Sequence, residues 1–516
     1  LTPLEALVGL ETQALLRGTQ VKTSRAALAL PVVALAVLTT AAPATAAPEQ
    51  PARTITWAPC QQDPTVDCGT LVLPIDWDNA KDGTFTLALA RRKAKVPSER
   101  IGSLVFDPGG PGGPGVSTLL GSPNLFSPQL QDRFDIIGFD PRGVGLSQPI
   151  KCDSAVLATA PTAPADTPRG YADTAAFNRR LLDDCRKVSG PLIDHVDDLS
   201  VVKDIDAIRA ALGEQKLTYY GVSYGTLMGQ QYAEMFPDHV RALALDSNMD
   251  HSQRTTGFLA TEAQTDEDAF QEFVKWCDRD TSCVLHGQDV DALFNSLYAK
   301  AQAGTLVDPD SKQTISPDML SDLPVGYLYG PDWSLLAQEL KALVDGNAAK
   351  FGPKADSQRQ VYFPFAFCSD YRFDLPSAAS VAQQRKIDNK VAPVTRVSGI
   401  GWGAAMQCLG ATKVANPQHP YRIHGTPPIL MVGGQHDPAT PYSWSVSAAA
   451  QIPAATLLTY DGWGHGQYFK SPCVVDATDQ YLISLKMPAK GTHCPAVPPN
   501  TTGFANQVSP LPSTGF

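Results

Sequence analysis

Apolar runs that stop at glycine- or proline-rich turns recur along this chain. Gly69-Thr-Leu-Val-Leu-Pro74 and Phe85-Thr-Leu-Ala-Leu-Ala-Arg-Arg92 alternate apolar with polar positions and are expected as strands. Gly102–Asp107 (GSLVFD), Phe134–Asp140 (FDIIGFD), the run from Leu217 to Gly221 and Val240–Asp246 (VRALALD) are nearly continuous apolar segments, as in strands buried on both faces. Between them, Phe177 to Val188 and Val201 to Leu212 carry helical spacing, the second ending at Gly213. Strands separated by helices, with glycine at the strand ends, predict an α/β fold built on a doubly wound, mainly parallel sheet. From Asp250 to about Gly425 this rhythm gives way to helical patterns (Glu262 to Cys277, Val290 to Ala303, Ser334 to Gly346). That stretch is too long for a loop and is expected as a large, mostly helical inserted cap. The α/β rhythm returns at Pro428–Gly434 and Thr456–Tyr460.

The ends of the chain read differently. Lys22 and Arg25 precede an apolar stretch, Ala26 to Leu38, and then Ala44-Thr-Ala46, the order of a Sec-type signal peptide with cleavage after Ala46. The apolar run is too short to span a bilayer comfortably, so no stable membrane insertion is expected. Residues 1–46 are therefore an upstream extension plus signal peptide. Residues 47–250 form the first part of the core, 251–425 the cap, 426–497 the second part of the core, and 498–516 a disordered tail.

Composition and charge agree with export. A net charge of −11 argues against nucleic acid or an anionic membrane surface as partner. The ten cysteines contain no C-x-x-C pair, and the nine histidines do not cluster beside them, so no metal or other cofactor is expected. An even cysteine count in an exported chain reads as disulfides. Nearness pairs Cys60 with Cys68, Cys152 with Cys185, Cys277 with Cys283, Cys368 with Cys408 and Cys473 with Cys494. Oligomeric state is not legible.

The turns at the strand ends carry the chemistry. Gly221-Val-Ser-Tyr-Gly225 sits between an apolar run and a helical segment, where two glycines let Ser223 adopt a strained conformation and expose its hydroxyl. A serine hydroxyl needs an adjacent base, and histidine oriented by a carboxylate supplies one. Asp437 follows the strand at Pro428–Gly434, and His465 lies in the glycine-flanked turn after Thr456–Tyr460. His436 competes with His465, and Asp461 with Asp437; Thr440 is a supporting candidate. Asp140 and Arg142 read as structural. An oxyanion needs preorganised N–H donors, expected from the amide of Tyr224 and from Gly110, with Gly109 close behind, in the loop Pro108-Gly-Gly-Pro-Gly-Gly-Pro-Gly115.

Together, DPGGPGGPG, FDIIGFDPRGVGLS, GVSYGTLMGQQYAEMFPDHV, GGQHDPATP and GWGHG resemble the secreted tripeptidyl aminopeptidases of actinobacteria, relatives of prolyl aminopeptidase in the α/β-hydrolase superfamily. The resemblance covers roughly residues 55 to 497, and the order Ser, Asp, His is the one that fold imposes. It implies a secreted serine exopeptidase acting on peptide substrates near a free N-terminus, without a metal. A carboxylesterase or lipase of the same fold is the alternative. An exopeptidase must hold the substrate ammonium, which calls for carboxylates in a partly desolvated pocket. Glu262, Asp266, Glu267 and Asp268 are candidates, and Asp370 is preferred because the Cys368–Cys408 bridge would hold its loop rigid. The closing Leu511-Pro-Ser-Thr-Gly-Phe516 matches a sortase signal but has no apolar span and basic tail after it, so cell-wall anchoring is not expected.

Overall fold

The apolar runs become the strands of one ten-stranded sheet in a computed structural model that describes residues 53–308, 312–347, 357–411 and 413–499. The expected leader (1–46), the closing LPSTG and nearly all of the expected tail lie outside the described residues. In chain order the strands are β1 (Thr56–Pro59), β2 (Asp67–Pro74), β3 (Thr84–Arg92), β4 (Gly102–Asp107) and β5 (Phe134–Phe139). They continue with β6 (Leu217–Val222), β7 (Val240–Asp246), β8 (Ile429–His436), β9 (Ala455–Trp463) and β10 (His493–Cys494). Their order across the sheet is β1-β2-β3-β5-β4-β6-β7-β8-β9-β10. The β1-β2-β3-β5 edge is antiparallel; every pairing from β5 through β10 is parallel.

This order places the site. After β4 the chain turns to one side to make β5 and then crosses to the other to make β6. The C-terminal ends of β4 and β6 are therefore neighbours from which the chain departs in opposite directions, the crevice where doubly wound sheets bind ligands. The Pro-Gly loop leaves β4 there, and the Ser223 turn leaves β6.

Both faces of the sheet are covered, which is why the central strands read as unbroken apolar runs. Val105 and Tyr219 face one buried core with Ile205, Leu227 and Trp444. Their neighbours Leu104, Phe106, Tyr220 and Val222 face the other, with Phe126, Tyr468 and Val474. Between β7 and β8 the described residues form seven α-helices and no sheet strand, beginning with the long helix Thr255–Arg279. These cap helices have an apolar core of their own around Phe270, Phe273, Phe294, Leu320, Leu336 and Leu340.

Asp140 and Arg142 hold the loops beside the sheet. Asp140 Oδ1 accepts from the Val116 amide (2.9 Å) and Oδ2 from the Leu146 amide (2.8 Å). The Arg142 guanidinium is fully buried, bidentate to Asp204 (2.7 and 2.6 Å), and donates to the carbonyls of Ile75 (2.7 Å) and His195 (3.0 Å). Removing the guanidinium leaves a carboxylate buried without a counter-charge, so Arg142→Leu should lower stability by about 3–5 kcal/mol. An unchanged urea midpoint in that variant would contradict this reading.

Candidate active site

Ser223 occupies a backbone conformation that only a tight turn sustains, with φ 58° and ψ −124°. It follows β6 directly and caps the helix Tyr224–Met235. The flanking glycines are sterically required. A Cβ on Gly221 would lie 2.4 Å from the Gly225 carbonyl oxygen, and one on Gly225 would lie 2.9 Å from the Asp107 carbonyl oxygen. The Ser223 amide donates to the Asp246 carbonyl (3.0 Å), tying the turn to β7.

Asp437 and His465 meet as expected. His465 Nδ1 lies 2.9 Å from Asp437 Oδ1 and 3.0 Å from Oδ2. The carboxylate is fully buried and also accepts from the amides of Ala439 (2.9 Å) and Thr440 (3.0 Å) and from Thr440 Oγ1 (3.0 Å). Burial would raise its pKa, but the charge and hydrogen bond of His465, with those two amides, outweigh it and hold the carboxyl below its usual range. It is therefore ionised when it orients the imidazole. His465 Nε2 is buried with no hydrogen-bond partner, and no hydrogen bond joins it to Ser223. The rivals are engaged elsewhere. His436 Nδ1 pairs with Asp268 (2.7 Å), while Asp461 Oδ1 is shared by Gln435 (2.9 Å) and His493 (2.7 Å).

Gln467 is a site residue that sequence reasoning missed. Its Nε2 donates to Asp437 Oδ2 (3.1 Å), to Ser247 Oγ (3.1 Å) and to the Gly464 carbonyl (3.0 Å), bracing the Asp437 and His465 turns against each other. The one available signal was its place two residues after His465.

The two expected loop amides part company. Gly109 N donates to Asp107 Oδ1 at 2.7 Å, so it is not free to meet an oxyanion, a correction to the expectation for Gly109. Among the described residues the amides of Gly110 and Tyr224 have no protein acceptor. The Pro-Gly loop packs directly against the Ser223 turn: a Cβ on Gly109 would fall 2.9 Å from Tyr224 N and 3.0 Å from Ser223 Cβ.

The acids divide more sharply. Asp370 is fully buried and both of its oxygens are engaged, Oδ1 by the Asp198 amide and Asn416 Nδ2 (2.9 Å each), Oδ2 by the Tyr224 hydroxyl (2.7 Å). It supports Tyr224 and faces no open pocket, which overturns the preference for Asp370 as an ammonium anchor. Glu267 accepts from the Val394 and Thr395 amides (3.0 and 2.9 Å), and Asp268 pairs with His436, so both serve the packing of the cap.

Glu262 and Asp266 differ: each is 1% exposed and neither meets a cation. Glu262 Oε2 accepts only from Ser398 Oγ (3.0 Å), and neither Asp266 oxygen receives a hydrogen bond of ordinary geometry, although Ser398 and the Gly399 amide lie alongside. Burial, then the charge of Asp266 on Glu262 and that of Asp322 on Asp266, pushes both carboxyls well above their usual range. Asp322, whose charge reaches Asp266 and whose own pKa burial raises to about 6, lines a cavity of about 730 Å³ with Gly399, Phe363 and Ser369. Ser223, Asp437 and His465 do not line it.

The long cap helix connects these acids to the His465 and Asp437 turns. Thr265 Oγ1 donates to the Asp437 carbonyl (2.7 Å), Asp268 pairs with His436, and Glu272 accepts from Trp463 Nε1 (2.9 Å). All ten cysteines are paired as nearness suggested, and Cys368–Cys408 fixes the end of the helix that carries Asp370.

Comparison with known proteins adds a family to this geometry. Residues 102–472 match the model of the alpha/beta hydrolase fold family. The chain is 33% identical over 484 residues to serine protease Hip1 of Mycobacterium tuberculosis, covering 85% of this chain and 91% of that protein. It is 30% identical over 475 residues to tripeptidyl aminopeptidase of Streptomyces lividans (85% and 86%), and 31% identical over 461 residues to a Mycobacterium tuberculosis protein named carboxylesterase B (83% and 86%). The chain belongs to the alpha/beta hydrolase fold family, among the relatives of the serine protease Hip1 and tripeptidyl aminopeptidase.

Proposed function

We propose that this protein is a secreted serine exopeptidase that cleaves peptides near a free N-terminus, with Ser223 as nucleophile, His465 as base and Asp437 as its orienting acid. The observation that carries the reading is His465: one ring nitrogen is fixed by an ionised, fully buried Asp437, and the other is unpartnered in a site that holds a strained serine. In the reaction, Ser223 Oγ attacks the scissile carbonyl as its proton passes to His465 Nε2. The oxyanion that forms is met by the amides of Tyr224 and Gly110. The imidazolium then gives its proton to the departing amine as the C–N bond breaks. Water, deprotonated by the same imidazole, hydrolyses the acyl-enzyme and returns the hydroxyl to Ser223.

The exopeptidase half rests on Glu262 and Asp266, two buried carboxylates without a cation on the helix that touches the Asp437 turn. An ammonium group supplies the missing charge. Five disulfides support export.

The likeness to a protein named carboxylesterase B keeps an esterase as the second reading. A tripeptidyl anilide assayed beside a p-nitrophenyl ester separates the two. The peptidase reading expects the anilide to have the higher kcat/KM; ester turnover without anilide turnover puts the esterase first.

A further inference from the structure

Three carboxylates lie in the closed interior directly behind the Ser223 turn and take no part in the reaction described above. Asp107 ends β4, Asp198 opens the helix Asp198–Ala211, and Asp370 closes the helix Ser357–Asp370. None is more than 1% exposed. Asp107 Oδ1 holds the Gly109 amide, while its Oδ2 has no partner. Asp370 holds the Tyr224 hydroxyl and is held in turn by the Asp198 amide, yet both carboxylate oxygens of Asp198 are unpartnered.

Among the described residues, no cation pairs with these three acids. Asp197 precedes Asp198 and adds a further acid to its field. Tyr219 and Tyr224 approach from the Ser223 turn, Tyr362 and Tyr371 from the cap, and Tyr421 from the return to the core, each with a phenol pushed far above its usual range by burial. His251 Nε2 lies 2.7 Å from the Asp370 carbonyl oxygen, and burial lowers that imidazole to about 4, so it is neutral. The Arg142 guanidinium, whose charge reaches Tyr362, is committed to Asp204.

Mutually repelling acids in such a place are stabilised by a bound cation or by protons. A cation needs ligand oxygens that converge. Among the described residues, the only group of three candidate ligand side chains whose atoms converge is Asp76, Asp82 and His195, none of which belongs to this set. That leaves protons.

We propose that Asp107, Asp198 and Asp370 form a proton-holding cluster that positions both halves of the oxyanion hole, the Pro-Gly loop through Gly109 and the helix Tyr224–Met235 through Tyr224. Loss of its protons loosens the hole. Burial raises Asp107 to about 7; burial, then the charge of Asp197, raises Asp370 to about 8; burial, then the charge of Asp370, raises Asp198 well above the usual carboxylate range. The folded chain thus keeps protons that the unfolded chain releases above pH ~4. The stability these groups contribute is complete below that point and declines as pH rises through about 8.

The role as positioning residues rests on the proposed reaction; the protonation does not. Two measurements keep the two apart. In the pH profile of kcat, the wild type should lose activity on the alkaline side of pH 7. Asp198→Asn should move that limb up by ~1 pH unit or more with KM little changed, because the hole acts on the transition state. A limb unmoved in folded Asp198→Asn and Asp370→Asn variants overturns the positioning role.

Carbon-13 NMR of enzyme labelled at aspartate carboxyls, assigned with the same variants and Asp107→Asn, reads the protons without turnover. At least one of the three should still be protonated at pH 7; ionisation of all three by pH 5 overturns the cluster. Failure of the reaction itself has a different signature. Ser223 would then be inert to a serine-directed phosphonate, which removes the hole's role, while the carboxyl titration still decides the protons.

Discussion

Replacing Ser223 with alanine should reduce turnover by on the order of 10⁴–10⁶-fold while leaving the fold and substrate affinity nearly intact. The hydroxyl forms the covalent bond that divides hydrolysis into two steps, and no neighbour can stand in for it. The turn is shaped by its glycines and by the hydrogen bond that the Ser223 amide donates to the Asp246 carbonyl, neither of which alanine alters. A serine-directed phosphonate should label the wild type at Ser223 alone and leave the variant unlabelled. Near-wild-type activity in Ser223→Ala would end the assignment of all three residues, since His465 and Asp437 have no other nucleophile to serve.

The second large effect concerns the substrate's free end. Acetylating the N-terminus of a good peptide substrate should lower kcat/KM by ~10²–10³-fold, because an ammonium between buried carboxylates is worth several kcal/mol more than a neutral amide there. Asp266→Asn should shrink the gap between free and blocked substrates, mainly by harming the free one. Glu262→Gln should act in the same direction but less, since Glu262 already accepts from Ser398. Equal cleavage of free and blocked peptides by the wild type would remove the exopeptidase reading and leave an endopeptidase or esterase.

The turns that bear Ser223, Asp437 and His465 were legible because each closes an apolar run with glycine nearby, and such a pattern has few structural solutions. The run of helices between β7 and β8 was legible as a block, less so in its parts. Two of its helices contain an interior proline, Pro324 and Pro364, which hides them from any reading based on helix formers. Strands β1 and β10, of four and two residues, are too short to produce a pattern at all.

The errors at the site share one cause. Gly109 was lost as a donor to a carboxylate two residues upstream, and Asp370 proved rigid but enclosed. Whether a polar group is available depends on who already holds it, a neighbour two residues away for Gly109 and a residue distant in the chain, Tyr224, for Asp370. Gln467 escaped notice for the same reason.

The helix Thr255–Arg279 has a consequence for how such an enzyme can change. Thr265, Asp268 and Glu272 share one stripe of it and clasp the turns of Asp437, His436 and Trp463. At 3.6 residues per turn, Glu262 and Asp266 fall on the adjoining flank. One strip of a single rod thus clasps the turns of the site, and the next strip carries the acids proposed to meet the substrate. Under the proposed function, substitutions on the flank should change which substrates are accepted while the stripe keeps the Asp437 and Trp463 turns clasped. A replacement cap would succeed only if it reproduced the stripe.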